Sequence, residues 1–393
     1  MADDEQADVV IVGGAVIGSA VAFYLARLGF SGRVVVVEQD PGYGQSSTAR
    51  SAGGLRQQFS TPENIRLSQA TLTLLRNLGA VFGSEADVGF REQGYLILAS
   101  PEGEPVLSRN VRLQQANGAS IERLDAGSLA TTFRWLATDG LAAGAFGTRG
   151  EGWLDPVALT TLFRKAAESA AVTYLTDRVV GLDVGLGVEA VRLESGRRIA
   201  CGAVVNAAGA WAGAVAALAG VPLPVEPRKR FVYVLDCREA GDDLRGAPLT
   251  VDPSGVWFRP EGRFFICGRS PDETEEPAPG DLDAIDHGFF EMEIWPVLAA
   301  RVPAFEAVKV VNAWAGHYDY NTLDQNGIIG PHPELTNLYF ANGFSGHGLQ
   351  QSAGVGRAIA ELIVHGHYRS IDLARFGYDR IRRGAPLAEL NVI

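Results

Sequence analysis

The sequence predicts an α/β protein: a Rossmann-type dinucleotide-binding domain interrupted by an inserted antiparallel sheet. Three stretches carry that expectation. They are a strand, glycine turn, helix, strand and acid at the amino end, a block of strands between residues 231 and 268, and a glycine-rich turn opening the last long helix. Val9, Val10, Ile11 and Val12 form the apolar run expected of a parallel strand covered on both faces. Gly13, Gly14 and Gly18 follow, then a helical stretch from Ser19 to Ala26, and a second strand, Val34 to Val37, delivers Glu38. Glycines let the backbone turn sharply and approach a pyrophosphate, while a helix N-terminus offers N–H groups and the positive end of its dipole. Glu38 stands about 20 residues beyond the glycines, where an acid accepts hydrogen bonds from ribose hydroxyls, which favours FAD or NAD over a 2′-phosphorylated cofactor. The turn Gly13-Gly14-Ala15-Val16-Ile17-Gly18 departs from Gly-x-Gly-x-x-Gly at Ala15, whose methyl a small backbone shift accommodates.

After Glu38 and Gln39 comes a loop of glycine and serine, from Pro41 to Leu55. It contains Ser47, Arg50, Ser51, Ala52, Gly53 and Gly54, and Arg56 follows it, a composition suited to lying along a phosphate or a flavin ring. Ser60-Thr61-Pro62-Glu63 reads as a capping box opening a helix with Ile65, Leu72 and Leu75 on one face. From Val88 to Gly147 the pattern changes to short strands and polar helices, with Gly94 to Leu98 a strand and Glu104 to Asn117 a helix. Asp155-Pro156 caps a helix running to about Ala170, and strands are expected at Val172 to Leu175, Val179 to Val184 and Val188 to Leu193.

Ala203 to Trp211 is a buried strand ending in small residues, Ala207, Ala208 and Gly209, at the carboxyl end where open α/β sheets bind ligands. Phe231 to Cys237, Val256 to Arg259 and Arg263 to Gly268 read as an antiparallel sheet with one face exposed or lining a pocket, the last two joined by a Pro260-Glu261-Gly262 turn. The acidic stretch Asp272 to Asp286 reads as solvated surface. A final strand, Leu338 to Gly343, leads through Phe344-Ser345-Gly346-His347-Gly348-Leu349-Gln350-Gln351 into a helix ending near Val364, again aiming N–H donors at something electron-rich.

The chain has 34 basic and 46 acidic residues, net −12, which disfavours nucleic acid or an anionic membrane surface as a partner. No apolar run reaches the roughly 20 residues of a membrane span, and the acidic start, Met1 to Glu5, is unlike a signal or transit peptide, so a cytoplasmic protein is expected. Cys201, Cys237 and Cys267 lack a disulfide or zinc spacing and read as small core residues. No metal site is expected.

Taken together, GGAVIG, Glu38, the Arg50 loop, VVNAAGAW and GFSGHGLQQ resemble the D-amino-acid oxidase-type flavoproteins, which include glycine oxidase, monomeric sarcosine oxidase and dimethylglycine dehydrogenase. DYNTLDQNGIIGPHP, FSGHGLQQ and the ending LNVI are most similar to the FAD-dependent oxidoreductase domain-containing members, one of them mitochondrial and associated with respiratory complex I assembly. The resemblance implies FAD and the glutathione reductase-like flavoprotein superfold. It divides the chain into an FAD-binding domain (1–87, 148–225 and 312–393) and a substrate-binding domain (88–147 and 226–311). Flavin contacts would come from the first glycine turn, Glu38 with Gln39, the loop from Ser47 to Leu55, Val179, Ala207 to Gly209 with Trp211, and Gly343 with Ser345 to Gln350.

The resemblance also assigns roles. Arg56 is similar to the arginine that holds the substrate carboxylate, and Arg50 to the one beside the flavin. Gln350 stands where those oxidases have a second, charged carboxylate-binding group, a lysine. Their oxygen-activating lysine is matched by Ile266, and only Lys165, Lys229 and Lys309 occur in the chain, so a dehydrogenase passing electrons to a quinone or an electron-transfer protein is favoured over use of oxygen. The cysteine that bonds their flavin is matched by His317, which implies non-covalent FAD, with a histidine link as the alternative. His347 either lines the site or is structural, and Trp257 with Tyr318 could wall the substrate. The expected reaction is oxidation of the C–N bond of a small amino acid or N-alkyl amino acid by hydride transfer to flavin N5, followed by hydrolysis of the imine. A 2-hydroxy-acid dehydrogenase and an FAD-stabilised assembly factor with little turnover are the alternatives.

Overall fold

In a computed structural model that describes residues 5–390, one eight-stranded sheet is laid out around the first strand, Glu5–Val12. Met1 to Asp4 of the acidic start, and Asn391 to Ile393 of the LNVI ending, lie outside the described residues. The strand order is Ile328–Pro331, Leu338–Asn342, Arg198–Asn206, Glu5–Val12, Val34–Glu38 and Thr173–Thr176, with the hairpin Val179–Val184 and Val188–Leu193 joined to Arg198–Asn206. All strands from Leu338–Asn342 to Thr173–Thr176 run parallel, so their carboxyl ends share one edge.

Burial on both faces explains the unbroken apolar runs. Val9, Ile11, Val34 and Val36 pack under helices that include Val16–Arg27, Pro156–Ser169 and Gly348–His365. Val10, Val12, Val35 and Val37 pack beneath the hairpin and the short helix Ala212–Ala217. Each such side chain contributes roughly 1.5–3 kcal/mol of burial. A Cβ on Gly356 would stand 2.6 Å from that of Ala20, so the first and last long helices cross closely because both present small residues there.

The second eight-stranded sheet has the order Lys309–Asn321, Val225–Asp236, Phe264–Gly268, Trp257–Glu261, Leu249–Val251, Tyr95–Ala99, Ala143–Gly147 and Ile121–Asp125. It is antiparallel except where Leu249–Val251 runs parallel to Tyr95–Ala99. Strand Val225–Asp236 is covered on both sides: Phe231, Tyr233 and Leu235 meet Phe290, Ile294 and Phe305, while Val232 and Val234 face Trp257 and Ile266. Cys237 and Cys267 are buried in the former cluster, as small core residues.

Three local expectations are corrected. Ser60 makes no capping box, because its hydroxyl and N–H both donate to Glu389 at 2.6 Å, and helix Pro62–Leu75 begins without a side-chain cap. The tight turn is Gly262-Arg263, since Pro260 and Glu261 still pair with Phe265 and Phe264. The stretch from Asp272 to Asp286 is not simply solvated. Glu276 forms a bidentate pair with Arg230 at 2.7 and 2.8 Å, Leu282 is buried, and Lys229 Nζ donates to the carbonyls of Asp281 and Ala284. Asp155, by contrast, caps Pro156–Ser169 as expected, accepting from Val157 and Ala158 at 2.8 and 3.0 Å.

Candidate active site

Two cavities adjoin between the sheets, one of about 370 Å³ at the carboxyl edge of the parallel strands and one of about 110 Å³ against the second sheet. Ser47, Ser51, His317, Tyr318, Gly346 and Leu349 belong to both walls, so a single elongated ligand can occupy both.

The larger cavity is built from backbone. Gly13 leaves the first strand with φ +97°, and a Cβ there would collide with the Ala207 carbonyl at the end of the neighbouring strand. Gly18 has no room for a side chain over the Gly13 carbonyl. Ala15, with an ordinary φ of −67°, caps helix Val16–Arg27 and lines the cavity, so its methyl is tolerated without strain. The first-turn N–H groups of that helix have no intrahelical partners. Glu38 accepts from Gly14 N and Asp40 N, both at 2.8 Å, and burial pushes its carboxyl above the usual range. Helix Gly348–His365 opens on the same space, preceded by Ser345 at φ +51° and by Gly346, where a Cβ would come within 2.6 Å of the Tyr318 ring.

Asp319, which sequence reasoning did not select, also lines this cavity. Its carboxylate accepts from Phe344 N at 3.0 Å, and burial pushes it up to about 6. Ala207, Ala208, Gly209, Trp211 and Val179 line the cavity as well. Gly14, Gly18, Leu55, Gly343 and Ser345 stand behind the walls, shaping the turns or packing in the core.

The smaller cavity gathers Arg56, Trp257, Tyr318, His347, Gln350 and His317. Arg56 is 2% exposed; its Nη1 donates to the Gln58 carbonyl at 2.6 Å, its Nη2 meets His347 Nε2 at 3.1 Å, and its backbone N donates to Gln350 Oε1 at 2.8 Å. A guanidinium has only donors, so His347 Nε2 accepts and the ring proton is on Nδ1. Burial, with Arg56 beside it, holds His347 well below the usual histidine range, so the ring is neutral. Behind Arg56, Glu151 accepts from Gln57 N at 2.5 Å and Gln58 Nε2 at 2.8 Å, and burial pushes it up to about 7.

Arg50 ties its loop to the second sheet. Its Nη1 donates to the Ala315 carbonyl at 2.9 Å, and its own carbonyl accepts from Trp314 Nε1 at 2.9 Å. Gly54 is required because the Tyr95 hydroxyl fills the space of a Cβ. Tyr95, Arg230 and Arg269 line this cavity and were missed from sequence. The Arg228-Lys229-Arg230 run inside a buried strand was the available signal. Ile266 is buried on the same face but does not reach the cavity.

In the wall shared by the two cavities, two buried polar atoms have no partner: Ser47 Oγ and His317 Nδ1. The Pro279 carbonyl, 2.5 Å from His317 Nε2, can only accept, so Nε2 donates and Nδ1 is left without a partner. These orphans, the glycine cradle, Glu38 and two helix N-termini fit a dinucleotide that runs from the parallel sheet into the smaller cavity.

Comparison with known proteins agrees with that fit. The family model described as FAD dependent oxidoreductase (DAO) matches residues 8–362. The chain is 43% identical to the FAD-dependent oxidoreductase domain-containing protein 1 of Bos taurus, across 98% of this chain and 87% of that protein. It is 27% identical to the mitochondrial sarcosine dehydrogenase of Homo sapiens, across 94% of this chain but 41% of that one. Among solved structures it is similar to the L-proline dehydrogenase of P. horikoshii, with a TM-score of 0.85 and 27% identity over 97% of this chain and 99% of the other.

Proposed function

The chain belongs to the FAD dependent oxidoreductase (DAO) family, and we propose that it oxidises the C–N bond of a small amino acid or N-alkyl amino acid. Its cofactor is FAD, which when bound accepts the hydride at N5. The observation that carries the reading is a buried arginine, Arg56, on the wall of a small cavity that shares residues with the cofactor cavity.

A guanidinium offers the forked donor set that matches a carboxylate. Gln58 and His347 hold its plane, and the backbone bond to Gln350 Oε1 leaves that amide's NH₂ as the other donor on the wall. His347 is neutral and already accepting from Arg56, so it is no base. The amine therefore has to arrive unprotonated, and positioning supplies most of the rate. Tyr318 and Trp257 give the substrate apolar walls, and burial excludes water from the reacting carbon. The imine product hydrolyses after release.

A dehydrogenase is favoured over an oxidase. No lysine lines either cavity among the described residues, and two of the similar proteins are named as dehydrogenases of sarcosine and L-proline, both secondary-amine amino acids. The electron acceptor is then a quinone or an electron-transfer protein. We take the FAD as non-covalent, and we assign 1–87, 148–225 and 312–393 to the FAD-binding domain and 88–147 and 226–311 to the substrate-binding domain. The paired strands Val225–Asp236 and Lys309–Asn321 span the joins between them.

Anaerobic titration with sarcosine, L-proline and related amino acids tests the reaction. Bleaching of the flavin absorbance by at least one is expected. Flavin that stays oxidised with every amine and is bleached by a 2-hydroxy acid would replace this reading with that of a hydroxy-acid dehydrogenase.

A further inference from the structure

The wall of the smaller cavity holds Arg50, Arg56, Arg230 and Arg269, and no aspartate or glutamate among the described residues. An ordinary amino acid carries one carboxylate, which Arg56 suffices to bind. The remaining guanidiniums meet carboxylates from a single stretch of chain. Glu276 is bidentate on Arg230, Glu293 lies 2.6 Å and Asp272 3.6 Å from Arg269, and Asp283 lies 3.8 Å from Arg50.

Arg230 is distinct among them. It is buried at 8% exposure, its guanidinium lies 5.4 Å over the Tyr318 ring, and its Nε–H has no acceptor. Arg56, Arg230 and Tyr318 line the same cavity; burial raises the Tyr318 hydroxyl, and the positive charges of Arg230 and Arg56 work against that rise. A buried donor without an acceptor on a residue of the cavity wall calls for an acceptor on the ligand, and a carboxylate is the acceptor that a guanidinium matches best. Glu276 is 12% exposed and already shows that a carboxylate docks on this guanidinium.

We propose that Arg230 is a second anion anchor and that the preferred substrate is an amino acid bearing a second carboxylate, held between Arg56 and Arg230. The inference rests on the C–N oxidation read from the same site. Glu276 is the internal carboxylate against which the ligand's second acid competes. The stretch that carries it is also tied to the wall through the Pro279 carbonyl on His317, so a dicarboxylate substrate loosens that contact as it binds.

The test uses the FAD-loaded protein and the shift in flavin absorbance caused by carboxylates that cannot be oxidised. Succinate should bind about tenfold or more tightly than acetate, as one further charge-assisted hydrogen bond allows. Arg230→Gln should reduce succinate to the level of acetate while leaving acetate unchanged. Glu276→Gln should tighten succinate severalfold. Equal affinities in the unaltered protein, or an Arg230→Gln variant that weakens both ligands alike, would overturn the proposal. Should Arg230→Gln fail to fold, the unaltered protein and Glu276→Gln still decide it. The two readings separate in a bleaching assay: flavin reduced by N-methylglycine but not by N-methylaspartate removes the second anchor and keeps the reaction, whereas no reduction by any amine removes both.

Discussion

The larger cavity is made of backbone turns and small side chains at the carboxyl edge of the parallel strands; the smaller one is made of guanidiniums, rings and amides, and both gather stretches from distant parts of the chain. Glu38 reaches the glycine turn across 24 residues, whereas Arg56 meets His347 across 291 and Gln350 across 294. The first cavity tolerates almost no added atoms because main chain touches main chain. The second has side chains that can rearrange, so its failures should appear in binding and in pH dependence before they appear in folding.

The largest expected effect comes from breaking the backbone cavity. Gly13→Val places a branched side chain at φ +97° against the Ala207 carbonyl, and protein purified with this change should lack the yellow absorbance and melt several degrees lower. A fully loaded variant would show that the turn is not the cofactor cradle.

Next is the buried acid behind Arg56. Glu151 is raised from 4.5 to about 7, so the fold favours its protonated form. Stability from this group is complete below about pH 4.5 and is lost as pH rises to about 7, amounting to about 3 kcal/mol at order of magnitude. Denaturation of Glu151→Gln across that window should show a flatter dependence than the unaltered protein. An unchanged slope would mean that the carboxylate stays ionised beside Arg56.

Arg56→Met should keep its flavin and lose roughly 10- to 150-fold in carboxylate affinity, the equivalent of about 1.5–3 kcal/mol for a charged hydrogen bond. Titration of the flavin spectrum measures it, and unchanged affinity would move the carboxylate site elsewhere. Ala15→Gly should do least. It restores the glycine of the common fingerprint at a position with an ordinary φ, so a loss of about 1 kcal/mol or less and full flavin content are expected. A large gain in flavin affinity would show instead that the methyl crowds the pyrophosphate.

Much of the scaffold was legible because its signals are local. Val9 to Val12, the glycine turn, Glu38, Asp155 as a helix cap and the glycine-rich opening of the last helix each depend on neighbours within a few residues or one βαβ unit. Ser60 misled because its hydroxyl is claimed by Glu389, a partner 329 residues away that no local pattern encodes. The acidic stretch around Glu276 misled likewise: acids in a proline-rich loop ordinarily face water, but this one meets a buried Arg230 from another strand.

By itself the sequence determined the parallel core, the cofactor turn and the kind of side chain available to hold a carboxylate, since hydrophobic period and glycine placement act over short distances. Tertiary structure alone decided that His347 is neutral, that Arg230 and Tyr95 face the cavity while Ile266 does not, and that Ser47 and His317 keep unpartnered atoms in the shared wall. Burial and charge at a point are sums over everything nearby, and what is nearby is set by how the two sheets close on each other.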